Sequence, residues 1–117
     1  MKTMIPIHKK YSLDTMREII YYCCNYPCFQ ALVVFADIKE LRECCRQIPN
    51  VKFVHRHEQG HIFFSNQSKI TLALNKDWVA TGLRINALLH TNRVNCAEYT
   101  PYLIPYREPK NDIQSGE

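Results

Sequence analysis

The sequence predicts a single α/β domain, built as a small two-layer or three-layer sheet with helices packed on it. Residues 31–36 form an apolar run without alternation, which is typical of a strand covered on both faces in a parallel sheet. Segments with helical spacing of apolar residues stand on either side of this run, at 12–25 and 38–47. A chain of 117 residues is long enough to bury a core around such a sheet.

The first predicted helix covers residues 12–25. Ser12 is a suitable N-cap, and Pro27 disfavours helical geometry in the residue before it, which ends the helix. The apolar side chains that we expect to be buried are Leu13, Met16, Ile20, Cys23 and Cys24.

The second predicted helix covers residues 38–47 and follows the apolar strand directly. Asp37 can cap its first turn, and Pro49 ends it. The buried stripe is expected to consist of Ile38, Leu41, Cys45 and Ile48.

Residues 51–74 contain three β-type segments separated by turn sequences, and we expect them to form a β-meander. These segments are 51–57, 61–65 and 69–74. A short helix or loop is expected at 75–83. The apolar segment 85–90 then predicts a second core strand, parallel to 31–36.

The predicted domain covers residues 1–98. Residues 99–117 begin with three prolines interleaved with apolar and tyrosine residues, which indicates an extended segment able to dock on a partner or on the domain's own sheet edge. The polar residues after it are expected to form a mobile tail.

Composition excludes several classes of protein. The longest apolar run, 31–36, is far too short to cross a bilayer, so no membrane partner is expected. The first ten residues lack a signal-peptide core, which predicts a cytoplasmic protein. In that compartment the six cysteines are expected to be free thiols, packed mainly inside.

Two segments, residues 60–70 and 81–90, resemble parts of RecA-like motor ATPases, in particular the ATPase half of phage terminase large subunits and related helicases. Residues 60–70, Gly-His-Ile-Phe-Phe-Ser-Asn-Gln-Ser-Lys-Ile, are similar to a hairpin of that family. Residues 81–90, Thr-Gly-Leu-Arg-Ile-Asn-Ala-Leu-Leu-His, are similar to a short Gly-Leu-Arg segment of that family and to the strand after it, which ends in the Mg²⁺-binding acidic pair. The resemblance spans residues 9–93 and implies a protein encoded by a phage or mobile element, acting in the host cytoplasm.

The residues that carry the chemistry of that family are missing. Residues 7–12 contain no glycine where a phosphate loop would need several, although Lys9, Lys10 and Ser12 can still attract a phosphate. His90 and Thr91 stand where the acidic pair would be. The resemblance therefore implies a degenerate, non-catalytic relative that uses no cofactor and is retained for binding.

A set of basic residues is the predicted binding site for nucleic acid or another acidic partner. Helical spacing places three of them on one face of the second helix, and two more follow on the next strand. The set is Lys39, Arg42, Arg46, Lys52 and Arg56. A protein partner in a host defence or replication assembly, or non-specific nucleic acid, would fit it. The alternative is a solvated face with local ion pairs to Glu40 and Glu43.

A second function class stays open, a small metal-dependent or cysteine-dependent hydrolase. His55, His57 and His61 form the densest group of metal-ligand residue types, and a hairpin would bring them together. Histidines on such a hairpin are otherwise exposed or hydrogen-bonded.

Overall fold

A computed structural model describes residues 3–54, 56, 58–75 and 84–109. Within these residues the protein is mixed α/β, with a six-stranded sheet, a two-stranded ribbon and two α-helices. The helices are α1 (Leu13–Asn25) and α2 (Ile38–Gln47), which confirms both predicted helices. None of the helices in the described part of the chain is long and apolar enough to span a bilayer.

Six strands form the main sheet in the order β2-β7-β3-β6-β5-β4. Neighbours from β2 to β6 run parallel, and β5 and β4 are antiparallel additions. The predicted parallel core and meander are thus both present. The strands of the sheet and of the ribbon are β1 (Thr3–Met4), β2 (Ile7–Lys10), β3 (Gln30–Phe35), β4 (Lys52–Val54), β5 (Gln59–Phe63), β6 (Lys69–Leu74), β7 (Ala87–His90) and β8 (Tyr106–Arg107).

Strand β2 was not expected from the sequence, which drew attention to residues 7–12 as the position of a phosphate loop. The sequence gives no strand pattern here because the strand is largely exposed: Ile7 is half-buried, and the next three residues are exposed. The strand is held by its pairing with β7 at the sheet edge and has no apolar pattern of its own. Residues 76–83 of the short helix or loop predicted at 75–83, and the predicted tail at 110–117, lie outside the described residues.

Both helices pack on one face of the sheet. Met16, Ile19 and Cys23 of α1 and Leu41 and Cys44 of α2 are buried there against the sheet. The buried residues of both helices therefore differ in part from the predicted ones. In α1, Ile19 is buried while Cys24 is exposed, and in α2, Cys44 is buried more deeply than Cys45.

The C-terminal segment covers part of the opposite face, over β3 and β7. Val94 and Tyr99 are buried there against β3 and β7, and Ile85 pairs with Leu103. Two 3-10 turns, Cys96–Glu98 and Thr100–Tyr102, belong to this cover. Part of the segment predicted to be extended is therefore helical. Further on, β8 pairs with β1, and the Tyr106 hydroxyl donates to the Pro27 carbonyl oxygen at 2.8 Å.

Candidate functional site

The structure brings three of the five predicted basic residues together on α2. Lys39, Arg42 and Arg46 line an open groove of about 800 Å³. The Arg42 guanidinium carbon lies 6.0 Å from the centre of the Phe53 ring, at the limit of a cation–π contact. Arg46 forms an ion pair with Glu43, so part of this positive charge is already compensated within the helix, as the solvated-face alternative expects.

The other two basic residues lie elsewhere. Lys52 pairs across the strands with His61, and Phe53 next to it packs into the helix-side core. Because successive strand residues point to opposite faces, Lys52 lies on the face of the sheet away from α2. Arg56 is exposed in the turn between β4 and β5. The five residues therefore belong to at least two surfaces.

The face of β4, β5 and β6 that points away from the helices combines basic and aromatic side chains. Cross-strand register places Lys52 opposite His61, and Phe63 opposite Lys69. Phe63, the last residue of β5, is 61% exposed although it pairs with Lys69 in the sheet. The His61 and Phe63 rings stack at 5.7 Å with an interplanar angle of 24°. We call this surface the open sheet face; it consists of Lys52, Val54, Gln59, His61, Phe63, Lys69 and Thr71.

A small cleft of about 170 Å³ adjoins the open sheet face. Polar side chains from three strands line it, among them Gln59, Lys69 and Thr71. These groups donate and accept hydrogen bonds, which suits recognition of a planar polar group such as a nucleobase.

The carboxyl ends of the parallel strands enclose a second polar pocket, of about 510 Å³ and lined by Lys10, His90 and Arg93 among others. Open α/β sheets commonly bind ligands at this edge. Here the acidic groups are already engaged. Asp37 accepts from the Glu40 amide at 3.0 Å, confirming the predicted helix cap, and pairs with Arg93. These two interactions, in that order, hold the pKa of Asp37 below its usual value.

Glu40 is also occupied within this pocket. Its Oε1 accepts a hydrogen bond from the Ala36 amide at 3.0 Å and one from the Thr91 hydroxyl at 3.2 Å. From the sequence, Glu40 is expected to offset the charge of the basic helix face. Its bonds instead tie the end of β3 to the end of β7, so it serves the packing of this edge.

Two histidines and a cysteine meet where β2, β7 and the C-terminal cover come together. One potential ligand atom from each of His8, His90 and Cys96 lies within 4.8 Å of the other two. The two imidazole rings are 5.1 Å apart, and partial burial together with the neighbouring His90 lowers the pKa of His8. Of the predicted metal ligands, His61 lies on the open sheet face, and His55 and His57 lie outside the described residues.

All six cysteines are free thiols, as predicted, but their burial differs. Cys23 and Cys44 are buried, Cys24 is exposed, and the other three are intermediate. The prediction that the thiols pack mainly inside is therefore wrong, because only two of the six are buried. Adjacent residues on a helix point in different directions, so Cys23 and Cys24 cannot both face the core.

We expect one thiol to react much faster than the buried ones. Burial raises the pKa of Cys23 to about 12, so almost no thiolate forms there at neutral pH, whereas Cys24 meets solvent. Titration with a chromogenic disulfide should label Cys24 first and Cys23 only after unfolding, and Cys24→Ser should remove the fastest phase. An unchanged fast phase in Cys24→Ser would contradict this assignment.

Comparison with known proteins adds no family to these observations. No protein-family model matches the sequence, and no curated protein or solved structure is significantly similar to it.

Proposed function

We propose that the protein is a non-catalytic binding protein that takes up single-stranded nucleic acid on its open sheet face. The observation that carries the proposal is the exposure of Phe63 beside Lys52 and Lys69 on a sheet surface. A large exposed aromatic ring on a sheet surface costs hydrophobic free energy that a partner's ring can recover.

The charge of this surface favours a polyanion. The described strand residues that form it include two lysines and no aspartate or glutamate. The adjoining turn holds one charge of each sign, the exposed Arg56 and the half-buried Glu58, so the two lysines give this surface its positive charge. On α2, by contrast, Glu43 pairs with Arg46. The open sheet face is therefore the better candidate for phosphate contacts.

The aromatic pair favours a single strand over a duplex. Bases of a single strand can stack on Phe63, and such stacking contributes about 1–3 kcal/mol per base without requiring a particular sequence. The polar cleft beside Lys69 offers hydrogen bonds to the edge of an unstacked base. The resemblance to terminase and helicase cores supports the same partner class and a role in a phage or mobile-element assembly.

The non-catalytic part of the proposal rests on the pocket at the carboxyl ends of the strands. Glu40, the carboxylate that lines this pocket, is bonded to protein groups, and so is Asp37, which pairs with the lining residue Arg93. No glycine-rich turn follows β2. We therefore expect neither tight Mg·ATP binding nor turnover.

Fluorescence anisotropy with labelled single-stranded DNA and RNA at low salt tests this proposal. We expect Phe63→Ala to weaken binding about tenfold, from the loss of one stacked base, and Lys52→Glu/Lys69→Glu to abolish it. Three phosphate contacts, from Lys52, Arg56 and Lys69, predict a log–log salt slope of about −2, at roughly 0.7 per phosphate of a single strand.

Two control variants separate this surface from others. Tyr21→Ala removes another exposed aromatic ring, on α1, and should leave affinity unchanged. Arg42→Glu/Arg46→Glu should change it little. Loss of binding only in Arg42→Glu/Arg46→Glu would place the binding site on α2 instead. Equal affinities for all variants, with intact circular dichroism, would favour a protein partner.

A further inference from the structure

We propose that His8, His90 and Cys96 form a zinc site that clasps the C-terminal cover to the edge of the sheet. The three residues come from strand β2, strand β7 and the first position of a 3-10 turn, and the first and last are 88 positions apart in the sequence. Their convergence is produced by the parallel pairing of β2 with β7 and by the chain folding back over the sheet.

The donor set and spacing suit zinc. Imidazole nitrogen and cysteine sulfur are the ligands that Zn²⁺ prefers, at about 2.0–2.3 Å, which separates the ligand atoms of a tetrahedral site by roughly 3.3–3.6 Å. The three ligand atoms here lie within 4.8 Å of one another. His8 is exposed, so a small rotation of its side chain can close the remaining gap.

The hydrogen bonding of His90 supports a ligand role. Its Nδ1 lies 3.2 Å from the Thr91 carbonyl oxygen. A carbonyl oxygen only accepts, so Nδ1 carries the proton and Nε2 keeps its lone pair for the metal. Metal-binding histidines usually have their second nitrogen anchored in this way.

The inferred site has three protein ligands and one position for water. An ion there would join the first strand of the sheet to the segment that covers it. Because zinc would bind the folded chain more tightly than the unfolded one, it should also raise the unfolding temperature.

Titration of the metal-free, reduced full chain with Zn²⁺, and separately with Co²⁺, tests this site. We expect one ion per chain, thiolate-to-cobalt charge-transfer absorption in the near ultraviolet, and a higher unfolding temperature with zinc. Removing an outer-shell partner already costs about 10–100-fold in affinity, so Cys96→Ser and His8→Ala should each cost at least about 100-fold. Cys96→Ser should also abolish the charge-transfer band.

Matched controls make the result specific. Cys24→Ser removes an exposed thiol on α1, and His61→Ala removes a histidine of the open sheet face; both should bind zinc as the unaltered chain does. The proposal is wrong if no stoichiometric zinc binds, or if Cys96→Ser and His8→Ala bind it unchanged. Loss in His61→Ala alone would instead place the ion at the histidines of the β4–β5 hairpin.

Discussion

Replacing Phe29 by alanine is expected to lower the free energy of unfolding by about 3–5 kcal/mol, a large part of the stability of a domain this size. Phe29 is fully buried between α1 and the C-terminal strand. Its ring stacks on Tyr22 at 5.8 Å and contacts Tyr106 at 5.5 Å. Truncation removes these contacts and leaves a cavity that rings on both sides cannot easily fill.

Urea unfolding followed by circular dichroism measures this effect, and Phe63→Ala is its matched control. Phe63 is largely exposed, so the same truncation there should change stability by no more than about 0.5 kcal/mol while weakening nucleic-acid binding. Similar losses in the two variants would contradict the assignment of Phe29 to the core and Phe63 to the binding surface.

Replacing Ser68 by alanine is expected to cost about 2–4 kcal/mol, although it removes a single oxygen atom. Ser68 is 1% exposed. Its hydroxyl accepts from the Phe29 amide at 2.9 Å and donates to the Tyr26 carbonyl oxygen at 2.8 Å. Alanine would leave both backbone groups without these partners, at about 1–3 kcal/mol for each buried group.

Ser65→Ala provides the control for this second variant, since Ser65 is exposed in the same connection between β5 and β6. Equilibrium unfolding of the two variants should separate them by at least about 1 kcal/mol. If Ser68→Ala and the unaltered protein have the same free energy of unfolding, the Ser68 hydroxyl does not link the turn before β6 to the residues before β3.

Sequence reasoning succeeded where local patterns carry the information. The apolar run at 31–36 gave the central parallel strand, observed at Gln30–Phe35, and Asp37 was recognised as the cap of α2. Capping and strand burial depend on a few neighbouring residues, so they can be read without knowing the rest of the fold.

It failed where an element depends on distant partners. Strand β2 is polar on three of four positions and is stabilised by its hydrogen bonds to β7, about eighty residues away. Likewise, no spacing rule links His8 to Cys96, because strand order decides that they meet. The strand register is also needed to show that Lys52 lies on a different surface from the basic residues of α2. The sequence alone does not supply that register.

The candidate surface was visible in the sequence only in fragments. Phe63 belonged to a predicted strand and Lys52 to the predicted basic set, but nothing local showed that they share a face. The signal that could have found it is the alternation of His61 and Phe63 within one strand, combined with the pairing of that strand to its two neighbours.

Backbone amide chemical shifts, followed by NMR while a single-stranded oligonucleotide is added, test the central claim most directly. The account predicts that the largest shift changes fall on β4, β5 and β6, around Lys52, Phe63 and Lys69, with α2 little affected. Shift changes confined to α2, or to the pocket around Lys10 and Arg93, would contradict it, and so would an unchanged spectrum.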